Sequence, residues 1–273
     1  MGEAVRLQVL VCTYGKEGMS RVQEMDPPRV PGVEWLVSWQ LPEGHESAVP
    51  PALAVRPDLR VHVCRNRGLS RNRNEAMRLA TAPWCLLADD DLRYMPGALE
   101  ALMAEAEARP DTDILCCAYT CCGRFMKPYP VRPVPLRCAP KGWYANSFEI
   151  AFRRQSPAGR TLFNENFGAG APLMRAGEED LWLHDAARAG AAGMILPLTL
   201  CRHDHDSTAE RDGSADWFVM TRGAVHSRLH PVSWPLRMLR HSLRQKDMTP
   251  WRYLRLALRG ARHARRHGYF RQS

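Results

Sequence analysis

Short apolar segments alternate with helical patterns along the first two thirds of the chain. The strand-like segments are residues 7–12, 34–39, 60–64, 84–88, 113–118 and 194–198. Helical periodicity is found at residues 72–80, from Pro96 onwards, and at residues 179–189, where Gly190 is placed as a C-cap. This alternation predicts an α/β domain whose sheet is largely parallel, because parallel strands need helical crossover connections.

Three consecutive acids, Asp89, Asp90 and Asp91, follow the fourth strand in the segment CLLADDDLRY. Adjacent carboxylates repel each other, by roughly 4 kcal/mol for charges 4 Å apart at an effective dielectric of 20. The helix from Pro96 begins too late for Asp89 or Asp90 to cap it. Since α/β sheets bind ligands at the carboxyl ends of their strands, a divalent-cation site is favoured over the alternative, a solvated acidic turn.

Composition narrows the class of protein. Hydrophobic residues make up 45% of the chain, which is ample for a core, and no apolar run approaches the ~20 residues of a membrane span.

Residues 1–14 lack the pattern of a signal peptide, and the nine cysteines then indicate a reducing compartment with mostly buried thiols. The cysteines at 116, 117, 121 and 122 contain no C-x-x-C pair and predict structural thiols rather than a zinc site. We therefore expect a cytoplasmic location.

The positive charge is concentrated at the C-terminus. The net charge is +9, and residues 231–273 hold eleven Lys and Arg and one acid, so this tail carries +10 and the rest −1. Apolar residues recur in the tail near helical period, at Trp234, Leu236, Leu239, Leu243, Trp251, Leu254 and Leu258. Basic amphipathic helices of this kind bind anionic membrane surfaces. A contact with the inner face of the cytoplasmic membrane is favoured over packing on the catalytic domain and over a nucleic-acid patch.

Four motifs occur in a recognisable order: CTYG, GLSRNRNEA, LADDD and GEEDLWLHDAARAG. In this order and spacing they resemble the family 2 glycosyltransferases over about residues 7–207. The resemblance implies a GT-A fold, a Rossmann-like and mostly parallel sheet flanked by helices. We expect a catalytic domain at residues 1–207 and a basic, helical extension at residues 208–273.

The same resemblance implies the activity: metal-dependent, inverting transfer of a sugar from a nucleotide-diphosphate donor to an acceptor hydroxyl. A UDP-sugar is the expected donor, and a surface or lipid-linked glycan is the expected acceptor. A nucleotidyltransferase with a similar sheet is the first alternative. A catalytically inactive membrane or nucleic-acid adaptor with a transferase-like fold is the second.

The family's D-x-D element assigns the metal, Mn²⁺ or Mg²⁺, to Asp89 and Asp91, with Asp90 at the ribose. Such a cation would neutralise the charge that grows on a pyrophosphate leaving group. The family often takes a further ligand from a histidine after the last strand, here His203 or His205 in CRHDHDST. A surface location for both histidines is the alternative.

The resemblance places the nucleotide base at Thr13 and Tyr14, after the first strand. Arg73 and Asn74 match the family's G-x-S-x-x-R-N element, and a guanidinium suits phosphate oxygens. Arg71 is a second candidate for this role, and solvated arginines at a helix N-terminus are the alternative to both.

One departure from the family concerns the second strand. An Asp that commonly follows it is absent, and the segment VSWQLPEG offers Gln40 or Glu43 instead. The identity of the base therefore stays open.

The catalytic base of the family lies in its Glu-Asp element, which corresponds to GEED at residues 177–180. Spacing favours Glu178 with Glu179 and identity favours Glu179 with Asp180, so Glu179 is the first candidate and Asp180 the second. A carboxylate here would take the proton of the acceptor hydroxyl. The alternative is that these acids only stabilise the first turn of a helix through its dipole.

Overall fold

The chain is described by a computed structural model over residues 4–45, 48–204 and 215–270. It divides into two compact units. The first unit comprises Met1–Arg67, Arg71–Leu162 and Asp185–His205, and the second comprises Gly68–Ser70, Phe163–His184 and Asp206–Ser273. The predicted boundary between residues 207 and 208 lies outside the described residues and stays a prediction.

The first unit is built on a mixed sheet. Its strands are β1 Leu7–Tyr14, β2 Val33–Gln40, β3 Leu59–Cys64, β4 Trp84–Ala88, β5 Arg93–Tyr94, β6 Ile114–Thr120, β7 Val134–Pro135, β8 Ile150–Arg153 and β9 Gly193–Arg202. Their order is β3-β2-β1-β4-β8-β6-β9-β5, with β7 paired to β9. Each predicted strand segment matches one of these strands to within a residue at its start.

Parallel pairing dominates one side of the sheet. The pairs β2–β3, β1–β2 and β1–β4 are parallel, and so is β6–β9. The short strand β8 pairs antiparallel with both β4 and β6, and sequence patterning did not predict it. The mostly parallel, Rossmann-like sheet expected from the sequence is confirmed.

Buried strands explain the apolar runs and most of the cysteines. Every residue of β4 is buried, and Val9, Trp35 and Leu86 lie in the same core cluster. Six of the nine cysteines are buried and all are free thiols, as the composition predicted. Burial raises the pKa of Cys12 to about 12, although Arg73 opposes the shift, so this thiol stays protonated and inert at neutral pH.

Helices α1 to α6 lie between and after these strands. They are α1 Gly15–Met25, α2 Pro51–Ala54, α3 Leu69–Leu79, α4 Ala98–Glu107, α5 Pro157–Arg160 and α6 Glu178–Arg188. Helix α1 was not predicted; it buries Gly18, Met19, Val22 and Met25. The prediction that a helix begins at Pro96 was wrong by two residues, because Gly97 adopts a left-handed conformation (φ 74°) just before α4.

The second unit is helical and includes α7 Asp216–Leu229, α8 Trp234–Ser242 and α9 Pro250–Arg266. Helices α7 and α9 approach closely through two glycines. A Cβ on Gly223 would lie 2.1 Å from the carbonyl oxygen of Ala257, and one on Gly260 would lie 1.9 Å from that of Met220. The helices predicted for the basic tail are thus present in α8 and α9. Across the described ranges, no helix has both the length and the apolarity needed to cross a membrane.

Candidate active site

The predicted donor-site residues lie along one edge of the sheet. Strands β3, β2, β1 and β4 are parallel neighbours, so their carboxyl ends meet at the same edge. Tyr14 pairs with Gln40 in the register of β1 and β2, and Val11 pairs with Ala88, the last residue before the three acids. At this edge Thr13 is buried and Tyr14 is half exposed.

Asp90 is held by two residues that precede it in sequence. The Thr13 hydroxyl donates to Asp90 Oδ2 at 2.5 Å, and Arg21 donates from Nε to Oδ1 at 2.8 Å and from Nη2 to Oδ2 at 3.0 Å. Arg21 lies on the unpredicted helix α1, so sequence patterning gave no signal for this ion pair. Both oxygens of Asp90 therefore accept hydrogen bonds from the protein.

Asp89 has a different cationic neighbour. Arg73 Nη2 lies 3.6 Å from Asp89 Oδ1, and the same nitrogen donates to Ser147 Oγ at 2.5 Å. The Arg73 side chain is almost fully buried, whereas Asp89 is partly exposed. Asn74, the next residue on α3, is also buried. The arginine predicted to reach the nucleotide therefore supports Asp89 from inside the unit.

Asp91 lies beside His203, as a shared metal site would require. His203 Nε2 is 3.3 Å from Asp91 Oδ1, and the imidazole stacks on Phe148 with ring centroids 5.1 Å apart. Burial lowers the pKa of His203, but the hydrogen bond to Asp91 and the charges of Asp91 and Asp89 outweigh burial and raise it above its ordinary value. His205, the other predicted ligand, lies outside the described residues.

The side chains at this edge fit a divalent cation as a partial set of ligands. Within residues 4–45, 48–204 and 215–270, no three His, Cys, Asp or Glu side chains are grouped so as to hold a metal ion by themselves. Asp91 and His203 offer a carboxylate oxygen and an imidazole nitrogen, which together suit Mn²⁺. Phosphate oxygens and water commonly complete the coordination of such ions. A bound nucleotide would thus supply the ligands that the protein lacks.

The ends of β1 and β2 are joined by a residue that the sequence analysis missed. Buried Asn72 donates from Nδ2 to the carbonyl oxygens of Thr13, at 3.2 Å, and Ser38, at 3.0 Å. Gln40 is buried and donates to Asn66 Oδ1 at 2.6 Å. These bonds fix the backbone that would surround the nucleotide base.

The acids at the start of α6 belong to the second unit and differ in exposure. Glu178 is buried against Gly168, where a Cβ would lie 2.9 Å from the Glu178 Cδ. Glu179 is half buried and Asp180 is exposed. Glu178 therefore packs against Gly168, while Glu179 and Asp180 retain access to solvent.

Comparison with known proteins finds a family model that is similar to part of the chain. Residues 51–168 match the family model described as "Glycosyl transferase family 2". No curated protein matches the sequence.

The chain also has solved structural neighbours. A crystal structure of S. aureus TarS 1-349 is 15% identical and has a TM-score of 0.60, covering 97% of this chain and 92% of that chain. TarS 1-349 in complex with UDP-GlcNAc is 16% identical and has a TM-score of 0.57, covering 96% of this chain and 73% of that chain. Likeness at this identity concerns the fold, and it confirms the predicted GT-A fold.

Proposed function

We propose that this protein is a metal-dependent, inverting glycosyltransferase, and that it transfers a sugar from a UDP-linked donor to an acceptor hydroxyl. The observation that carries the proposal is the Asp91–His203 pair beside Asp89, at the carboxyl end of β4. The choice of UDP is supported by the UDP-GlcNAc complex of the structural neighbour TarS.

Donor binding would use the exposed edge of the sheet. Half of the Tyr14 side chain is accessible at the end of β1, so its ring is available to stack on a base. Gln40 and Asn74 would support the nucleotide site from within. We place Asp90 behind the ribose, where it orients Thr13 through a hydrogen bond.

Asp89, Asp91 and His203 would hold Mn²⁺ or Mg²⁺, with His205 as a further candidate. The bound cation would stabilise negative charge on the departing diphosphate. Arg73 contributes a buried positive charge behind Asp89.

In the transfer step, the acceptor oxygen attacks the anomeric carbon as the bond from that carbon to the UDP oxygen breaks. The bonding electron pair leaves with UDP, and attack from the opposite face inverts the configuration. The acceptor proton passes to a carboxylate, for which Glu179 is the first choice and Asp180 the second.

A lipid-linked acceptor would suit the surface of α8. Leu236 and Leu243 on this helix are 71% and 68% exposed, and Leu239 between them is also exposed. Their spacing of three and four residues places them on one face. Exposed arginines follow each of these leucines in sequence, so we propose contact between residues 231–273 and an anionic membrane surface.

A panel of nucleotide sugars tests the proposed reaction. With Mn²⁺ present, we expect slow release of UDP from one UDP-sugar and no release of pyrophosphate from nucleoside triphosphates. Release of pyrophosphate would instead indicate a nucleotidyltransferase. Glu179→Gln should lower transfer at least about 100-fold with UDP binding retained, whereas Glu165→Gln, at an exposed acid of the same unit, should leave transfer unchanged.

A further inference from the structure

A short 3-10 turn, Ser147–Glu149, contacts the partners of two site acids. Ser147 accepts a hydrogen bond from Arg73, which neighbours Asp89. The next residue, Phe148, stacks on His203, which pairs with Asp91. Consecutive residues of one turn therefore contact both sides of the proposed metal site.

Glu149 anchors this turn inside the unit. Its side chain is 0% exposed and accepts hydrogen bonds from Lys127 Nζ and from the Tyr129 hydroxyl. The backbone N–H of Asn146 donates to the same carboxylate at 2.8 Å and closes a capping box. The turn thus cannot move without breaking several hydrogen bonds to a buried charge.

Lys127 is equally constrained. Its side chain is 1% exposed, and it also donates to the carbonyl oxygen of Tyr144. Four aromatic rings surround its ammonium group, with centroids 4.3–5.6 Å from Nζ: Tyr119, Tyr129, Trp143 and Tyr144. Cation–π attraction and hydrogen bonds together fix the position of this nitrogen.

Stability alone is a weak reason for such a pair. Removing both charges from water is costly, and well-packed apolar residues of similar volume are often as stabilising as a buried ion pair. An ion pair of this kind also fixes an orientation, because several hydrogen bonds to one carboxylate hold that group in a single position.

We propose that the Lys127–Glu149 ion pair is a positioning element for the donor site. By fixing the 147–149 turn, it holds Arg73 behind Asp89 and holds the imidazole of His203 against Asp91. Both side chains are buried, so the role assigned to them is positioning and not contact with substrate. The inference rests on the proposed function, since it concerns the same metal and nucleotide site.

The test compares two ion pairs of the first unit. Lys127→Met with Glu149→Gln removes the proposed positioning pair, and Ser147→Ala removes only the contact with Arg73. The matched control is Arg56→Met with Asp58→Asn, which removes a pair of one buried and one partly buried side chain at the amino end of β3. For each variant we would measure the Tm and, by calorimetry, the Mn²⁺ concentration that gives half-maximal UDP binding.

Both double variants should lower the Tm. Of these two, only Lys127→Met/Glu149→Gln should raise the half-saturating Mn²⁺ concentration, by at least about ten-fold. The single variant Ser147→Ala should also raise this concentration, with little change in Tm. The inference is overturned if the two double variants lower the Tm alike and neither changes the Mn²⁺ requirement.

A second readout separates this inference from the proposed function. A wild-type protein that binds neither UDP nor Mn²⁺ overturns the proposed function. The positioning role is then tested by the rate at which diethyl pyrocarbonate modifies His203, which is mostly buried. That rate should rise in Lys127→Met/Glu149→Gln and not in the control, and equal rates in wild type and both variants overturn the inference.

Discussion

Gly18 lies where helix α1 meets the Thr13–Asp90 hydrogen bond. A Cβ at this position would be 2.0 Å from the Thr13 hydroxyl oxygen and 3.0 Å from Asp90 Oδ2, although it would be 3.4 Å from the Thr13 Cβ. The steric conflict in Gly18→Ala is therefore mainly with the hydroxyl group, and less severely with the carboxylate that it binds. Relief requires either that the helix moves or that Thr13 rotates away from Asp90.

Two opposing effects determine how much Gly18→Ala changes the free energy of unfolding. Alanine is favoured over glycine within a helix by about 1 kcal/mol. Loss of a hydrogen bond to a charged group costs about 1.5–3 kcal/mol. We expect Gly18→Ala to lower the free energy of unfolding by about 0.5–2 kcal/mol, as the second effect exceeds the first. In a Thr13→Ala background the hydroxyl is absent, and the same change should be neutral or stabilising by up to about 1 kcal/mol.

Urea unfolding followed by circular dichroism measures this double-mutant cycle. Ser20→Ala, at an exposed position of the same helix, is the control and should stay within about 0.5 kcal/mol of wild type. A coupling energy of about 2 kcal/mol between positions 13 and 18 is expected. Independent effects of the two substitutions would refute the role of Gly18 in making room for the Thr13–Asp90 contact.

Three further predictions concern the second unit. Gly260→Ala should destabilise it by about 1–3 kcal/mol in urea unfolding, because the methyl group would meet the carbonyl oxygen of Met220. Burial, and then the nearby histidines and arginines, lower the pKa of His226 to about 3. His226 therefore stays neutral in the folded protein at a pH where it is protonated in the unfolded chain, near pH 6.5 and below. The free energy of unfolding should fall by about 2 kcal/mol between pH 7 and pH 5, and His226→Asn should remove this loss. Leu236→Ser with Leu243→Ser should weaken co-sedimentation with anionic vesicles several-fold without changing the Tm.

Each of these predictions has a control and a contradicting outcome. Leu258→Ala, on an exposed face of α9, should cost far less than Gly260→Ala, and equal costs would contradict the close helix contact. His267→Asn should keep the full acid dependence, and an unchanged acid dependence in His226→Asn would contradict the assignment. Equal sedimentation of the leucine variant and wild type, or binding to neutral vesicles as strong as to anionic ones, would contradict membrane contact through α8.

Local patterning predicted six strands of the sheet, β1, β2, β3, β4, β6 and β9, because buried parallel strands are short and continuously apolar. It did not predict the two-residue strands β5 and β7. It predicted β4 from its first to its last residue, with three acids directly after it. It missed α1 because Gly15 and Gly18 lower helix propensity, although Met19, Val22 and Met25 follow a helical period. The four-residue strand β8 was too short for its pattern to be distinguished from a loop.

Contacts between distant residues were beyond local patterning. Arg21 and Asp90 are separated by 69 residues, and Lys127 and Glu149 by 22, so neither pair leaves a periodic signal. The assignment of a metal to the outer acids, Asp89 and Asp91, came from the family resemblance and stays a prediction. The structure adds that Arg21 and Thr13 donate hydrogen bonds to both oxygens of Asp90.

The most direct test of the proposed donor site is calorimetric titration of UDP in the presence and absence of Mn²⁺. We expect Mn²⁺-dependent binding in wild type and in Asp111→Asn, a control at an exposed acid of the first unit. Binding should weaken at least about 100-fold in Asp91→Asn and in Asp89→Asn, with each variant still folded. Unchanged UDP affinity in both site variants, or wild-type binding that does not depend on a divalent cation, would contradict the central claim.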